Sequence, residues 1–504
     1  MASEAHKKIG LFIKELRRKR GFTQRSFAEA LGTSQSAIAR IEAGEQNLST
    51  AKLLKISDIL QHQLLGLKES IDFQIEGGTK LRGTAVTNTS KNGALALMCT
   101  ALLNKAPTTL HGIPRIEEIH RLIEIFKSIG VQIDSLDRNT LRITPPKVFR
   151  LSSIQKNSAR KVRSVLMLIG AMVHQKESFS LPHAGGCRMG ERTVAAHRHA
   201  LHELGVKVTT KENYYAIASR KLKPAEIIMY EASDTATVNA LLAAALIPGK
   251  TVIKYAPPNY QVQDVCFLLQ RFGVRISGVG TTTLSVHGVK EIKKNIEHHN
   301  SEDPIESMMF IAAAAVTKSQ LKIKRCPIEF LEVELLKLSY MGLKFTTGKE
   351  YLSANGRTKL VDITIYPSEL IASPDKIHPL PYPGLNIDNL PFFVPIATQA
   401  KGTTLIHDWA WEGRAIYFTE LNRLGADVKI ADPHRVFVTG PTELRAAQVV
   451  CPPALRPAVI ILIAMLAAKG TSRLRNVYAI ERGYERMAER LSEIGAKIEV
   501  VQDL

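Results

Sequence analysis

The sequence Ile129-Gly130-Val131 closes a helix-like run and opens a β-rich one. The same signature returns as Leu204-Gly205-Val206, Phe272-Gly273-Val274, Met341-Gly342-Leu343, Leu424-Gly425-Ala426 and Ile494-Gly495-Ala496. Its glycines stand 75, 68, 69, 83 and 70 residues apart. Each fits the place just past a helix C-terminus, where a residue without Cβ takes the left-handed backbone that stops the helix. Ahead of each of the six glycines lies an apolar, mostly alanine-rich stretch, at 93–103, 164–172, 237–246, 308–316, 392–400 and 458–468. Helices that are apolar on every face belong in a core. Turns such as Pro248-Gly-Lys-Thr-Val-Ile and Lys401-Gly-Thr-Thr-Leu-Ile then lead into strands. The repeat predicts an α/β unit of one core helix, one covering helix and several strands. Six such units exceed a single core, so two domains of three units each follow.

The starts of the core helices carry polar residues: Lys91 and Asn92, Arg163, Asp234 and Thr235, Glu306, Asp388, and Arg456. Were these N-termini to share a cleft, their unpaired amides and helix dipoles would make a site for phosphate. Composition agrees, since 504 residues carry a formal charge of +20. Residues 1–66 hold eleven Lys and Arg against six Asp and Glu, so +15 of the excess lies beyond them. Five scattered cysteines with no Cys-x-x-Cys exclude a disulfide framework and a zinc motif, and reduced thiols in a cytoplasmic protein are expected. No apolar run is long enough for a membrane span. His197, His199 and His202 share one predicted helix, but only the last two share a face and no acidic third ligand is near, so no metal is expected.

Residues 7–62 read as short amphipathic helices with an apolar stripe of Leu11, Phe12, Leu16, Phe27, Leu31, Ile38, Ile41, Leu53, Leu54 and Ile56. From Gln24 to Glu42 the pattern is a helix, a turn at Gly32, and a second helix capped by Thr33 or Ser34. This all-α segment, 1–66, resembles the Cro-like helix-turn-helix of phage repressors, for which Thr23-Gln24 and Glu42-Ala-Gly44 also fit. The resemblance implies DNA binding, commonly as a dimer, with Ser34, Gln35, Ser36 and Arg40 toward base edges and Gln24 toward phosphate. A helical bundle used for dimerisation is the alternative. Residues 66–71 make a short junction to the body.

The body carries Phe73-Gln-Ile-Glu-Gly-Gly, Ser90-Lys-Asn-Gly-Ala-Leu, Leu181-Pro-His-Ala-Gly-Gly-Cys-Arg-Met-Gly-Glu-Arg192 and Ile480-Glu-Arg-Gly-Tyr-Glu-Arg486. On these stretches it resembles the UDP-N-acetylglucosamine 1-carboxyvinyltransferase family over nearly all of 71–504. The resemblance implies two inside-out α/β domains of three repeats, 71–90 plus 301–504 and 91–300. It also implies transfer of the enolpyruvyl group of phosphoenolpyruvate to the 3-hydroxyl of UDP-N-acetylglucosamine, with release of phosphate and no cofactor. That reaction is the first committed step of peptidoglycan synthesis.

Carried onto this sequence, the resemblance makes Lys91, Arg192 and Arg482 phosphate cations, with Arg163, Arg414 and Arg456 in support. Asp388 becomes the base on the acceptor hydroxyl, and Asn92 orients that hydroxyl. Ser233 falls in the acceptor stretch. Cys187 stands in a glycine-rich loop with Arg188 and Arg192, where positive charge lowers a thiol pKa. The family's thiol there assists proton transfer and is alkylated by fosfomycin. Departures cluster on the acceptor side: Ala195 and Ala454 where the family has carboxylates, Glu231 where it has a lysine, and Gly413 in place of an asparagine. Three readings remain open: this transferase with a DNA-binding head, a transferase for another hydroxyl acceptor, and a transcription regulator whose degenerate enzyme body senses a ligand.

Overall fold

The computed structural model describes residues 4–19, 22–46, 48, 52, 53, 55, 56, 59, 71–185 and 193–502. They fall into two compact units, a head within 1–70 and a body, Ile71–Val501.

In the head, α1 (Glu4–Lys19) precedes α2 (Gln24–Leu31) and α3 (Gln35–Glu42). Thr23 caps α2 in a capping box with Ser26, Gly32 makes the turn at φ 68°, and Ser34 caps α3 by accepting from Ala37 N. Ile13, Phe27, Leu31, Ile38, Ile41 and Ile56 form its core. The predicted stripe errs in α1, where Leu11 and Phe12 are exposed. Ile13 and Arg17 face inward instead, one helical turn apart, because the Arg17 guanidinium pairs with the buried Glu42 carboxylate and so fixes the rotation of α1.

The body repeats as the glycines foretell. Gly130, Gly205, Gly273, Gly342, Gly425 and Gly495 all have φ between 86° and 100°. Its described strands make six sheets. The first strand, Ile71–Gly77, pairs antiparallel with Gly470–Arg475, so the start of the body closes a sheet with its end. One apolar core draws on residues 73–85 and 305–496, and a second on residues 94–292.

The helices that matter for the site are α4 (Lys91–Ala101), α5 (Glu117–Ser128), α6 (Asp234–Ala245), α7 (Tyr260–Phe272), α8 (Pro304–Val316) and α9 (Leu455–Ala467). Helices α4, α6, α8 and α9 are four of the six predicted core helices. The other two are shorter and begin as 3-10 turns, at 164–172 and 390–397. In the first, the Asn239 amide donates to Leu166 O at 2.7 Å and its oxygen accepts from Gly170 N at 2.8 Å. Those two backbone groups would otherwise pair with each other in an α-helix. In the second, Pro395 has no N–H to return to Pro391.

The chain crosses between the two cores near residue 90 and returns near 300, and the crossings are laced together. Ser90 N donates to Ser301 O at 2.7 Å and Asp303 N to Asn88 O at 2.8 Å. Asn300 Nδ2 donates to Ser90 O at 2.7 Å and Gly112 O at 3.0 Å. Behind them, Asp264 of α7 accepts from Ser301 N at 3.2 Å, from Ser301 Oγ and from Asn355 Nδ2 at 3.4 Å.

Burial, with the nearby charge of Glu302, pushes the Asp264 carboxyl up to about 7 despite the hydrogen bonds from Ser301 and Asn355. An unfolded aspartate titrates near about 3.9. The folded state therefore binds the extra proton between the two values, and this group's contribution to stability is lost as pH rises through about 7. Asp264→Asn is expected to flatten the fall in Tm between about pH 5 and about pH 8 relative to the parent. Parallel Tm curves for the two proteins would show that Asp264 is ionised throughout.

Candidate active site

Lys91 and Asn92 begin α4 immediately after the crossing. Ser90 Oγ caps the helix by accepting from Gly93 N at 3.0 Å. A Cβ at Gly93 would fall 2.5 Å from Asn300 Oδ1 and 3.0 Å from Asp264 Oδ2, so only glycine lets the helix start rest on the return crossing. Lys91 Nζ reaches Glu118 Oε2 of α5 at 2.6 Å, and Arg482 Nε lies 3.9 Å from Glu118 Oε1. Burial would raise the Glu118 carboxyl, but Lys91, Arg482 and Arg456 hold it below the usual carboxylate range. One carboxylate thus stands between a cation that begins one core and a cation from the other. That is the electrostatic setting of an anion site.

Asp388 lies in the turn 386–389, where its N–H donates to Asn386 Oδ1 at 2.8 Å. Arg456 Nη2 approaches its Oδ2 at 3.3 Å and Arg414 Nη1 its Oδ1 at 3.9 Å. Burial pushes the Asp388 carboxyl up, yet Arg456, Arg414 and Lys91 together keep it below its ordinary value. It is therefore ionised at neutral pH and able to accept a proton. Arg456, at the start of α9, also donates to Tyr484 OH at 2.6 Å and stands 5.3 Å from the centre of that ring. Arg414 stands on the Oδ1 side of Asp388. It is wholly buried, with Asp408 taking Nε and Nη2 and Ile387 O taking Nη2 at 2.8 Å. It acts from behind Asp388.

The first residues of α7 tie the other side together. Asn92 Nδ2 lies 3.4 Å from Tyr260 OH, and Asn259 Nδ2 donates to Asp234 Oδ2 at 3.1 Å. Ser233 is the N-cap residue of α6 without a side-chain bond to a helix amide. Arg163 Nη2 donates to Thr193 O at 2.9 Å. His197 is buried and packs its ring nitrogens against Asn239 Nδ2 at 2.8 Å and Thr235 Oγ1 at 3.3 Å. Burial, helped by the charge of Arg163, pushes it down to about 3, so it is neutral, and Asn239, a donor, requires Nδ1 to accept. Among the described residues no group of three His, Cys, Asp or Glu could hold a metal. No described helix is long and apolar enough to cross a membrane.

The structure brings Lys91, Asn92, Asp388, Arg456 and Arg482 together, with Arg414 behind them. It sets Glu306 apart, in a buried pair with Arg490. Cys187 and Arg192 lie outside the described residues. In the head, Gln35, Ser36 and Arg40 are exposed on α3, as a groove-reading face needs, and Ser34 is its cap. The Gln24 amide donates to Glu42 Oε2 at 2.9 Å within the head. Sequence reasoning missed Glu118 and Tyr260. Glu118 is one of several charges on an amphipathic covering helix, and no local motif distinguishes it.

Known proteins share this architecture. The family model of EPSP synthase (3-phosphoshikimate 1-carboxyvinyltransferase) matches residues 75–491, and a helix-turn-helix family model matches residues 13–63. UDP-N-acetylglucosamine 1-carboxyvinyltransferase of Treponema denticola is 35% identical over 85% of this chain and 99% of its own length. The protein of that name from Bradyrhizobium diazoefficiens is 32% identical over 86% of this chain and 99% of its own. Among solved structures, the enolpyruvyl transferase NikO from Streptomyces tendae superposes with a TM-score of 0.73 at 22% identity, covering 86% of this chain and all of that one. EPSP synthase from Acinetobacter baumannii superposes at 0.67 and 19% over the same share of this chain and all of its own, which again shows the fold. With three sheets around each of two cores and a cleft of phosphate-type cations, the body of this chain belongs to the carboxyvinyltransferase family of EPSP synthase, behind a helix-turn-helix head.

Proposed function

We propose that the chain transfers the enolpyruvyl group of phosphoenolpyruvate to the 3-hydroxyl of UDP-N-acetylglucosamine and releases phosphate, the entry step to peptidoglycan. The body, on this reading, is two domains, 71–90 with 301–504 and 91–300, that meet at the cleft. The observation that carries the proposal is the pairing of an ionised Asp388 with the Lys91 and Arg482 anion place. Asp388 takes the proton of the acceptor hydroxyl as its oxygen adds to the double bond. Loss of phosphate from the tetrahedral adduct, with a proton of its new methyl group returning to the group that supplied it so that the double bond re-forms, then concentrates charge on the leaving group, where Lys91 and Arg482 face it and lower the barrier.

The cations also tune the base. Arg456, Arg414 and Lys91 depress Asp388. A phosphate dianion placed against Lys91 cancels part of that field, which raises the proton affinity of Asp388 when substrate is present. Glu118 occupies Lys91 until then. Arg192 joins the phosphate cations from its loop, Arg163 and Ser233 serve the acceptor, and Cys187 delivers a proton to the enolpyruvyl methylene. The head binds DNA as a dimer through Gln35, Ser36 and Arg40, upstream of the protein's own gene.

Phosphate release from phosphoenolpyruvate should require UDP-N-acetylglucosamine. Asp388→Asn should slow it by about 10²–10⁴-fold with little change in KM for phosphoenolpyruvate. No release with this or any other hydroxyl acceptor would overturn the proposal. Fosfomycin should inactivate the parent and add to Cys187, whereas Cys187→Asp should escape the adduct. For the head, Arg40→Ala should weaken binding to the upstream DNA by about tenfold or more at fixed salt and relax its sequence preference. Equal binding by parent and variant would leave Arg40 no role in base reading.

A further inference from the structure

The donor side of the cleft is furnished with cations, while the acceptor side holds a carboxyl that the steps above do not use. Asp234 opens α6. Its Oδ2 accepts from Asn259 Nδ2 at 3.1 Å, and the Gln261 side chain supplies another hydrogen bond to the same carboxyl. Its Oδ1 is buried and has no hydrogen-bond partner among the described residues. Buried polar atoms in native proteins almost always have a partner, so a carboxylate oxygen left without one next to the start of α7 points to a donor that arrives with the substrate.

Position supports that reading. Asn259, Tyr260 and Gln261 are consecutive at the start of α7. The first and third hold Asp234, and the second is the residue that Asn92 approaches. The charge of Asp388 acts on both Tyr260 and Asp234. Asn92, Asp388 and Asp234 therefore border the same part of the cleft, Asp388 from one core and the other two from its neighbour.

We infer that Asp234 is a specificity-determining residue for the acceptor, its open Oδ1 accepting a hydrogen bond from an uncharged N–H or O–H on the sugar carbon beside the reacting hydroxyl. This rests on the acceptor reading above, in which that group is the acetamido N–H next to the 3-hydroxyl. Burial, with the charge of Asp388 adding to it, pushes the Asp234 carboxyl up to about 6 against its hydrogen bonds from Asn259 and Gln261. A carboxyl in this state is better served by a neutral donor than by an anionic group, so the residue favours acceptors that carry amide or hydroxyl here and rejects those that carry negative charge.

Steady-state phosphate release by the full chain tests this. Asp234→Ala is expected to raise the acceptor KM by about tenfold or more, with kcat and the phosphoenolpyruvate KM within about threefold of the parent. Asp234→Asn, whose amide oxygen can still accept, should fall between the two. The analogue UDP-2-deoxyglucose, which has no donor at that carbon, should bind parent and Asp234→Ala equally weakly as a competitive inhibitor. An unchanged acceptor KM in Asp234→Ala overturns the inference. So does a joint fall in kcat, both affinities and Tm, which marks a structural residue. If the parent shows no release with UDP-N-acetylglucosamine, the acceptor reading is what fails. The same two variants, measured with whichever hydroxyl acceptor supports release, then decide the role of Asp234 separately.

Discussion

Asn300 bonds one crossing of the chain to the other, and the site is built outward from that contact. Its amide holds Ser90 O, and the next peptide hydrogen bond, Ser90 N to Ser301 O, fixes the residue before Lys91. Lys91 is therefore placed by backbone, with its side chain left to meet Glu118. Because Gly93 has no Cβ, the helix start can press onto Asn300 and Asp264. Any larger residue there would push Lys91 and Asn92 off the crossing, and positional errors of about 1 Å are costly in catalysis.

Around this anchor the cleft solves a problem of like charges. Lys91, Arg414, Arg456 and Arg482 would repel one another with no anion present, and each is given a carboxylate in compensation. Burying ion pairs is a poor way to gain stability, since desolvation consumes most of the attraction. Here it keeps cations in place for a ligand. Arg414, held at Nε and Nη2 by Asp408 and Ile387, is the fixed member; Lys91 and Arg482 share one carboxylate, that of Glu118.

Much of this could be read from the amino acids. Six glycines with one conformational job gave away six units, because a left-handed φ at a helix end is a local requirement that sequence expresses directly. Apolar stretches announced the core helices for the same reason. What stayed hidden depends on contacts distant in the chain. Asn239 interrupts the segment at 164–172 from 73 residues away, so that segment's own sequence cannot show its 3-10 start. In the head, Arg17 looks like one more basic residue until Glu42, 25 residues on, buries it and turns α1. Glu118 follows suit: a charge on a covering helix comes to stand between Lys91 and Arg482.

The acceptor side shows how position weights a substitution. Glu231, one of the departures on the acceptor side, is exposed, and a solvated charge interacts weakly with its neighbours. Ala454 is the wholly buried N-cap residue of α9 and gives that helix start no side-chain cap, while Arg456 serves Asp388 and Tyr484. Asp234 attracts less notice in the sequence than either. Its carboxyl is nonetheless the one with a buried open oxygen under the influence of Asp388, and in a low-dielectric cleft an unpaired atom of that kind governs what can bind more strongly than an exposed charge does.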